Sequence, residues 1–300
     1  MDTANPTPWT TLVDAEALAA VLGPDGPVLV DCCFQLADPA AGEAAWRAAR
    51  LPGARYAHLD RDLSDHSRAA AEGRHPLPEE AGFRRFVAGL GIDPDRQVVA
   101  YDAGDGAMAA ARFWWLLKLL GHRAVAVLDG GFARWSALRL PLERTPPPAR
   151  TEAAAGAYPG HFDRAAIADH AEVQARLQEA PGWLLDARGP ERFRGEVEPI
   201  DPVAGHIPGA RNRPFTANLV DGRFRAPEEL RAEFQALLAG RRPDEVVLGC
   251  GSGVTACHNL LAMEHAGLPG ARVHAASWSG WIADPARPVA TAPGPVSGPG

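Results

Sequence analysis

The apolar positions of this chain come in short blocks separated by polar and helical stretches. Val28 to Val30, Val98 to Tyr101 and Val125 to Leu128 are apolar throughout, the pattern of strands buried on both faces of a parallel sheet. Asp14 is placed to cap a helix that carries Leu18, Val21 and Leu22 on one face and stops at Gly23. Short buried strands alternating with such segments predict an α/β fold.

The pattern is written twice. Val-Leu-Val-Asp31 followed by Leu-Pro52-Gly53-Ala54 recurs as Leu-Leu-Asp186 followed by Ile-Pro208-Gly209-Ala210. Gln97 to Asp102, leading into a glycine-rich turn, recurs as Glu245 to Cys250 with a similar sequel, so Asp102 stands where the second copy has Cys250. Val125 to Trp135 parallels Val273 to Trp281. An internal repeat of this period means one structural unit built twice, and 300 residues, 46% of them hydrophobic, suit two cores better than one. The expectation is two tandem domains, each a parallel sheet flanked by helices, over residues 1–144 and 161–290. Residues 145–160, opening with Thr145-Pro146-Pro147-Pro148, read as a stiff linker, and the small, proline- and glycine-rich residues 291–300 as a flexible tail without assigned function.

A formal net charge of -7 removes the electrostatic footprint expected of a protein that binds nucleic acid or an anionic membrane. The N-terminus lacks a basic-then-apolar leader and no stretch reaches membrane-spanning length, so a soluble, cytoplasmic protein is expected. Cys32, Cys33, Cys250 and Cys257 include no Cys-x-x-Cys pair, which argues against a disulfide framework or structural zinc. The ten histidines show no ligand spacing. Gly104-Asp105-Gly106 lacks the remaining parts of a dinucleotide motif and reads as a tight turn, and Phe113-Trp114-Trp115 as core or domain interface.

One thiol stands apart. Val-Val-Leu-Gly-Cys250-Gly251-Ser252-Gly253-Val254-Thr255-Ala256-Cys257 predicts a buried strand, a turn of small residues and a helix with Leu260, Leu261 and Met263 toward the core. Cys250 then lies at the carboxyl end of a strand, where open α/β sheets hold their ligands and where a helix N-terminus favours an anion. Such a setting favours the thiolate. Gly251 and Gly253 leave backbone amides free to close around a second sulfur, and the hydroxyls of Ser252 and Thr255 add short donors. Cys257, inside the helix, is expected to pack, and Cys32 and Cys33 to be bystanders.

The loop Cys-Gly-Ser-Gly-Val-Thr-Ala-Cys (250 to 257) resembles the active-site loop of 3-mercaptopyruvate sulfurtransferases, within the tandem-domain rhodanese superfamily. Asp-Gly-Gly-Phe-x-x-Trp (129 to 135), Gly-His-Ile-Pro-Gly-Ala (205 to 210), Arg-Phe-Arg-Gly (192 to 195) and Ser-Trp-Ser-x-Trp (277 to 281) extend the likeness over nearly the whole chain. The resemblance implies a ping-pong cycle without metal or organic cofactor. Cys250 takes sulfur from a small-molecule donor and its persulfide passes it to a thiol acceptor such as thioredoxin or a small thiol, or to cyanide. It implies a substrate pocket of Gly251, Gly253, Val254 and Thr255, with Arg192 on the donor carboxylate. Ser252 is implied as the proton-handling hydroxyl, with Asp60 and His75 as a relay behind it; Asp62 is the alternative to Asp60. The N-terminal copy, with Asp102 for cysteine, is expected to be catalytically silent.

One departure concerns donor binding. Related enzymes resemble one another in a second arginine a little beyond Arg192, where this chain reads Glu198-Pro199-Ile200-Asp201. Asp201 is expected to repel a carboxylate, with Arg194 or Arg211 as candidate sources of the missing charge. Rhodaneses that use thiosulfate typically carry Arg-Lys after the cysteine, where this chain has Gly251 and Ser252, so mercaptopyruvate is the expected donor and thiosulfate the alternative. A cysteine-dependent phosphatase needs an arginine where this chain has Ala256, and a purely binding module leaves the Cys250 loop unexplained.

Overall fold

The computed structural model describes residues 7–106, 109–146 and 156–291. Much of the expected linker, 147–155, and residues 292–300 of the expected tail lie outside them. The chain forms two compact units. One holds the residues up to Asp62 together with Glu79–Phe162, the other Leu63–Pro78 together with the chain from Asp163 onward.

The first unit is built on a five-stranded parallel sheet of β1 (Leu12–Val13), β2 (Val28–Asp31), β3 (Arg55–Tyr56), β4 (Val98–Tyr101) and β5 (Val125–Leu128), in the order β1-β5-β4-β2-β3. In the second unit β6 (Ile167–Ala168), β7 (Leu184–Asp186), β8 (Arg211–Asn212), β11 (Val247–Gly249) and β12 (Arg272–His274) take the order β6-β12-β11-β7-β8, again all parallel. A small antiparallel hairpin, β9 (Leu219–Val220) with β10 (Arg223–Phe224), is added between β8 and β11. The two orders are the same topology strand for strand, so the predicted duplicated α/β unit is what forms. β4 is fully buried along its length, as an all-apolar run between two helical layers must be.

Phe113, Trp114 and Trp115 are core residues of the helix Ala110–Leu119. The first helix departs from expectation. It spans only Ala15–Ala19, the Asp14 side chain makes no capping bond, and Val21 is exposed. Ala15 and Leu18 are its buried residues, and Ala19 and Leu22 pack against the same core from partly buried positions.

Nothing in the hydrophobic pattern marks Leu63–Pro78 as part of the second unit. This strap docks on the helix Ser277–Trp281 at two glycines. A Cβ on Gly280 would lie 2.6 Å from the Ala71 carbonyl oxygen, and one on Gly73 (φ +90°) 2.5 Å from that of Ala276. The Arg74 amide donates to Ser279 Oγ (2.9 Å), and the His170 ring meets the Ala71 carbonyl (2.7 Å). The strap therefore carries Arg74 and His75 to the carboxyl end of the second sheet.

Candidate active site

Central strand β11 ends at Gly249, Cys250 follows it directly, and five residues after Cys250 Thr255 opens the helix Thr255–His265. Cys250 is buried, and its Sγ accepts the Gly253 N–H at 3.1 Å. Gly253 has φ +76°, and a Cβ there would lie 2.3 Å from the Ala275 carbonyl oxygen, so the turn that aims this amide at sulfur requires glycine. The other wall of the loop is clamped to the segment after β12. The carbonyls of Cys250 and Gly251 accept the amides of Trp278 (3.0 Å) and Ser279 (2.9 Å), while the Cys250 amide donates to Ser277 Oγ (3.1 Å). Ser277 adopts φ +50°, uncommon for a residue with a side chain. In the first unit the matching position is Gly131, φ +51°, whose neighbour Phe132 bonds the Asp102 carbonyl as Trp278 bonds that of Cys250. The second copy thus bears the cost of a side chain at a glycine position and gains a hydroxyl acceptor beside the thiol.

Ser252 is buried and its Oγ lies 2.8 Å from His75 Nδ1. Two residues 177 positions apart are thereby joined, and the strap is what joins them. Val254 is buried at the helix start, and Cys257 packs in the helix with its thiol donating to the Gly253 carbonyl (3.2 Å).

Three arginines surround the loop, each held by a carboxylate. Arg192 is bound through Nε and Nη2 by Glu198 (2.7–3.1 Å), with Nη2 also reaching Asp201 at 3.1 Å. Its partners are thus not its sequence neighbours Glu191 and Glu196. Arg74 pairs with the other oxygen of Asp201. Arg188, fully buried over the Trp278 ring, is bound by Asp186 (2.7–3.1 Å) and approaches Glu198 at 3.5 Å. Burial opposes the charge of Arg188, but the carboxylates of Asp186 and Glu198 and the nearby Cys250 outweigh it and raise its pKa. Burial likewise opposes the charge of Glu198, but Arg192 and the amides of Asp201 and Ile200 hold its carboxyl below the usual range.

Asp201 therefore does not stand as a bare repelling charge; two guanidiniums neutralise it. Neither expected substitute cation points here, because Arg194 pairs with Glu196 at the surface and Arg211 donates to the Leu237 carbonyl. The second guanidinium near the loop is Arg74. Its ion pair spans 127 residues of sequence, which no local spacing rule detects.

Asp60 lies in the first unit, half-buried in the helix Leu59–Asp62, where its amide donates to His58 Nδ1. Asp62 is engaged locally, accepting the His58 amide and pairing with Arg61. Burial, reinforced by Asp31, pushes the thiols of Cys32 and Cys33 up, which disfavours the thiolate that a nucleophile needs. In the first unit's counterpart of the Cys250 loop, the buried Asp102 carboxylate accepts the amides of Gly104 (3.2 Å) and Gly106 (2.9 Å). The glycine turn there encloses a carboxylate in place of a sulfur. Among the described residues no group of three or more His, Cys, Asp or Glu is arranged to hold a metal, and no helix is long and apolar enough to cross a membrane.

A buried cysteine in a glycine loop at the end of a parallel strand, on a fold built twice, defines a tandem rhodanese. The sequence matches the rhodanese-like domain over residues 14–138 and 169–284. It is 50% identical to the probable 3-mercaptopyruvate sulfurtransferase of Pseudomonas aeruginosa, over 93% of this chain and 98% of that protein. It is 38% identical to the putative thiosulfate sulfurtransferase SseB of Mycobacterium tuberculosis, over 93% and 96%. The fold superposes on 3-mercaptopyruvate sulfurtransferase from Leishmania major with a TM-score of 0.79 at 31% identity, covering 92% of this chain and 75% of that one. The chain belongs to the rhodanese family of sulfurtransferases.

Proposed function

We propose that the chain transfers sulfur from 3-mercaptopyruvate to a thiol or to cyanide through a persulfide on Cys250. The observation that carries this reading is the Ser252–His75 hydrogen bond beside the buried Cys250. In the first half-reaction the Cys250 thiolate attacks the donor's sulfur, an S–S bond forms, and the C–S bond breaks with its electron pair moving into pyruvate enolate. The proton on the transferred sulfur must leave and the enolate carbon must gain one. A hydroxyl hydrogen-bonded to an imidazole is suited to pass that proton. Thiosulfate needs no such transfer, since sulfite departs as a stable anion.

Local charge supports the same donor. Gly251 and Ser252 bear none, and Arg74, Arg188 and Arg192 are matched by Asp186, Glu198 and Asp201. A balanced set offers little to a compact dianion, whereas a single carboxylate remote from the reacting sulfur can use individual N–H donors. In the second half-reaction a thiolate, on thioredoxin or a small thiol, or cyanide attacks the outer sulfur and releases Cys250 thiolate. Steady-state kinetics with both donors test the reading. A kcat/KM larger for 3-mercaptopyruvate is expected, and one that favours thiosulfate contradicts it.

A further inference from the structure

We infer that Arg74, on the strap, is a donor-binding residue that holds the donor's carboxylate jointly with Arg192 over Gly251, and that Asp201 is the positioning residue that fixes both guanidiniums. The inference rests on the mercaptopyruvate reading and goes beyond it in assigning a binding role to a residue far from the arginine motif.

Three observations support it. First, the carboxylates lie behind the guanidiniums. Asp201 and Glu198 side chains are each 4% exposed, while Arg74 and Arg192 are 24% and 21% exposed, so the cations are the layer that solvent and a ligand can reach. Second, the ends of both guanidiniums approach one point, each with an Nη that no carboxylate engages. Arg74 Nη1 binds Asp201, and Arg192 uses Nε and Nη2 on Glu198 and Asp201. Arg74 Nη2 lies 3.1 Å, and Arg192 Nη2 and Nη1 3.6 and 3.7 Å, from the place a Cβ would occupy on Gly251. Arg74 Nε is buried and has no hydrogen-bond partner among the described residues. A guanidinium with donors unspent in a desolvated site favours a carboxylate that completes them. Third, Gly251 keeps this point empty. Its backbone needs no positive φ, so what a side chain there would take is the space between the two arginines.

Asp201 thus acts as a bracket, one oxygen on each arginine. It turns the expected repulsion into orientation, and the cation missing downstream of Arg192 is supplied by the residue that precedes His75. The same strap then serves both ends of the donor, with His75 near the reacting sulfur and Arg74 at the carboxylate.

The test is steady-state kinetics with 3-mercaptopyruvate, together with calorimetric binding of pyruvate, on the full chain and on Arg74→Ala, Arg74→Lys and the exchanged pair Arg74→Asp/Asp201→Arg. Loss of a charge-assisted contact predicts a KM for Arg74→Ala about tenfold or more above wild type with kcat changed by no more than about twofold, and a parallel loss of pyruvate affinity. Arg74→Lys should fall between, and the exchanged pair, which restores the ion pair but places a carboxylate in the layer that a ligand reaches, should not recover KM. A structural ion pair would instead lower Tm and leave KM and pyruvate affinity unchanged, which overturns the inference. Wild-type protein that neither turns over mercaptopyruvate nor binds pyruvate overturns the donor reading and this inference with it. Wild-type turnover with an unaltered KM in Arg74→Ala overturns the inference alone.

Discussion

Gly253 and Ser277 flank the nucleophile and make the sharpest demands on single positions. Gly253→Ala forces a side chain into a left-handed conformation, costing on the order of 1–3 kcal/mol, and drives its Cβ against the Ala275 carbonyl. The amide that meets Cys250 Sγ must then turn away, so kcat/KM should fall by at least about tenfold while circular dichroism stays native. Ser277 can be tested by contrast. Ser277→Gly matches the backbone of Gly131 in the first unit but removes the acceptor of the Cys250 amide; thermal stability should hold within about 1 kcal/mol while sulfur transfer declines. A fully active Ser277→Gly protein would show that the hydroxyl does not serve the site. Cys250 and its glycines were legible because everything that distinguishes them is local: a strand, a turn of small residues and a helix start. Arg74 and Ser277 were not, because their roles come from partners 127 and 27 residues away.

At the scale of elements, the strap Leu63–Pro78 is the feature that sequence patterning missed. It contains only a single short 3-10 turn, Ala70–Glu72, and no amphipathic run, so no periodicity announces where it docks. Gly280→Val should undock it, since a branched side chain has no room between Ala71 and Ala276. The outcome expected is a loss of kcat through misplacement of His75 from Ser252, measurable as slower pyruvate release with Cys250 still alkylated by iodoacetamide. Unchanged turnover would separate the strap from catalysis. The sheets carry a second testable property. Burial raises the Asp31 carboxyl at the end of β2 from 3.8 to about 6, against the hydrogen bonds from Cys33 and Tyr101. A raised folded-state pKa means the native state holds this proton more tightly, so its stabilising effect is complete below about pH 4 and is lost as pH rises to about 6, on the order of 2–3 kcal/mol. Asp31→Asn keeps an acceptor for the Cys33 amide and has no charge to bury. Its Tm should therefore exceed that of wild type above pH 6 and converge with it near pH 4; parallel Tm curves would refute the assignment. His274 on β12 runs the other way. Burial depresses it to about 3, so it withholds a proton that the unfolded chain accepts, and its contribution is lost as pH falls from about 6.5 toward 3.

For the molecule as a whole, the duplication was readable because both copies keep the strand, Pro-Gly and glycine-turn sequence in the same order, and the two sheets share one topology. The exchange of Leu63–Pro78 into the second unit was hidden, because a repeat compares copies with each other and cannot show a segment of one that packs with the other. A chain limited to residues 163–291 lacks His75 and Arg74 and should retain little activity. In the intact protein Asp102→Asn, which keeps an acceptor for the Gly104 and Gly106 amides, should leave kcat/KM unchanged. The account's central claim is that sulfur is carried on Cys250. Its most direct test is mass spectrometry of the protein after brief exposure to 3-mercaptopyruvate without acceptor, followed by peptide mapping. The prediction is a gain of one sulfur atom confined to the Cys250 peptide, absent in Cys250→Ser and discharged by cyanide as thiocyanate. Sulfur appearing on Cys32, Cys33 or Cys257, or turnover by a folded Cys250→Ser protein, would contradict it.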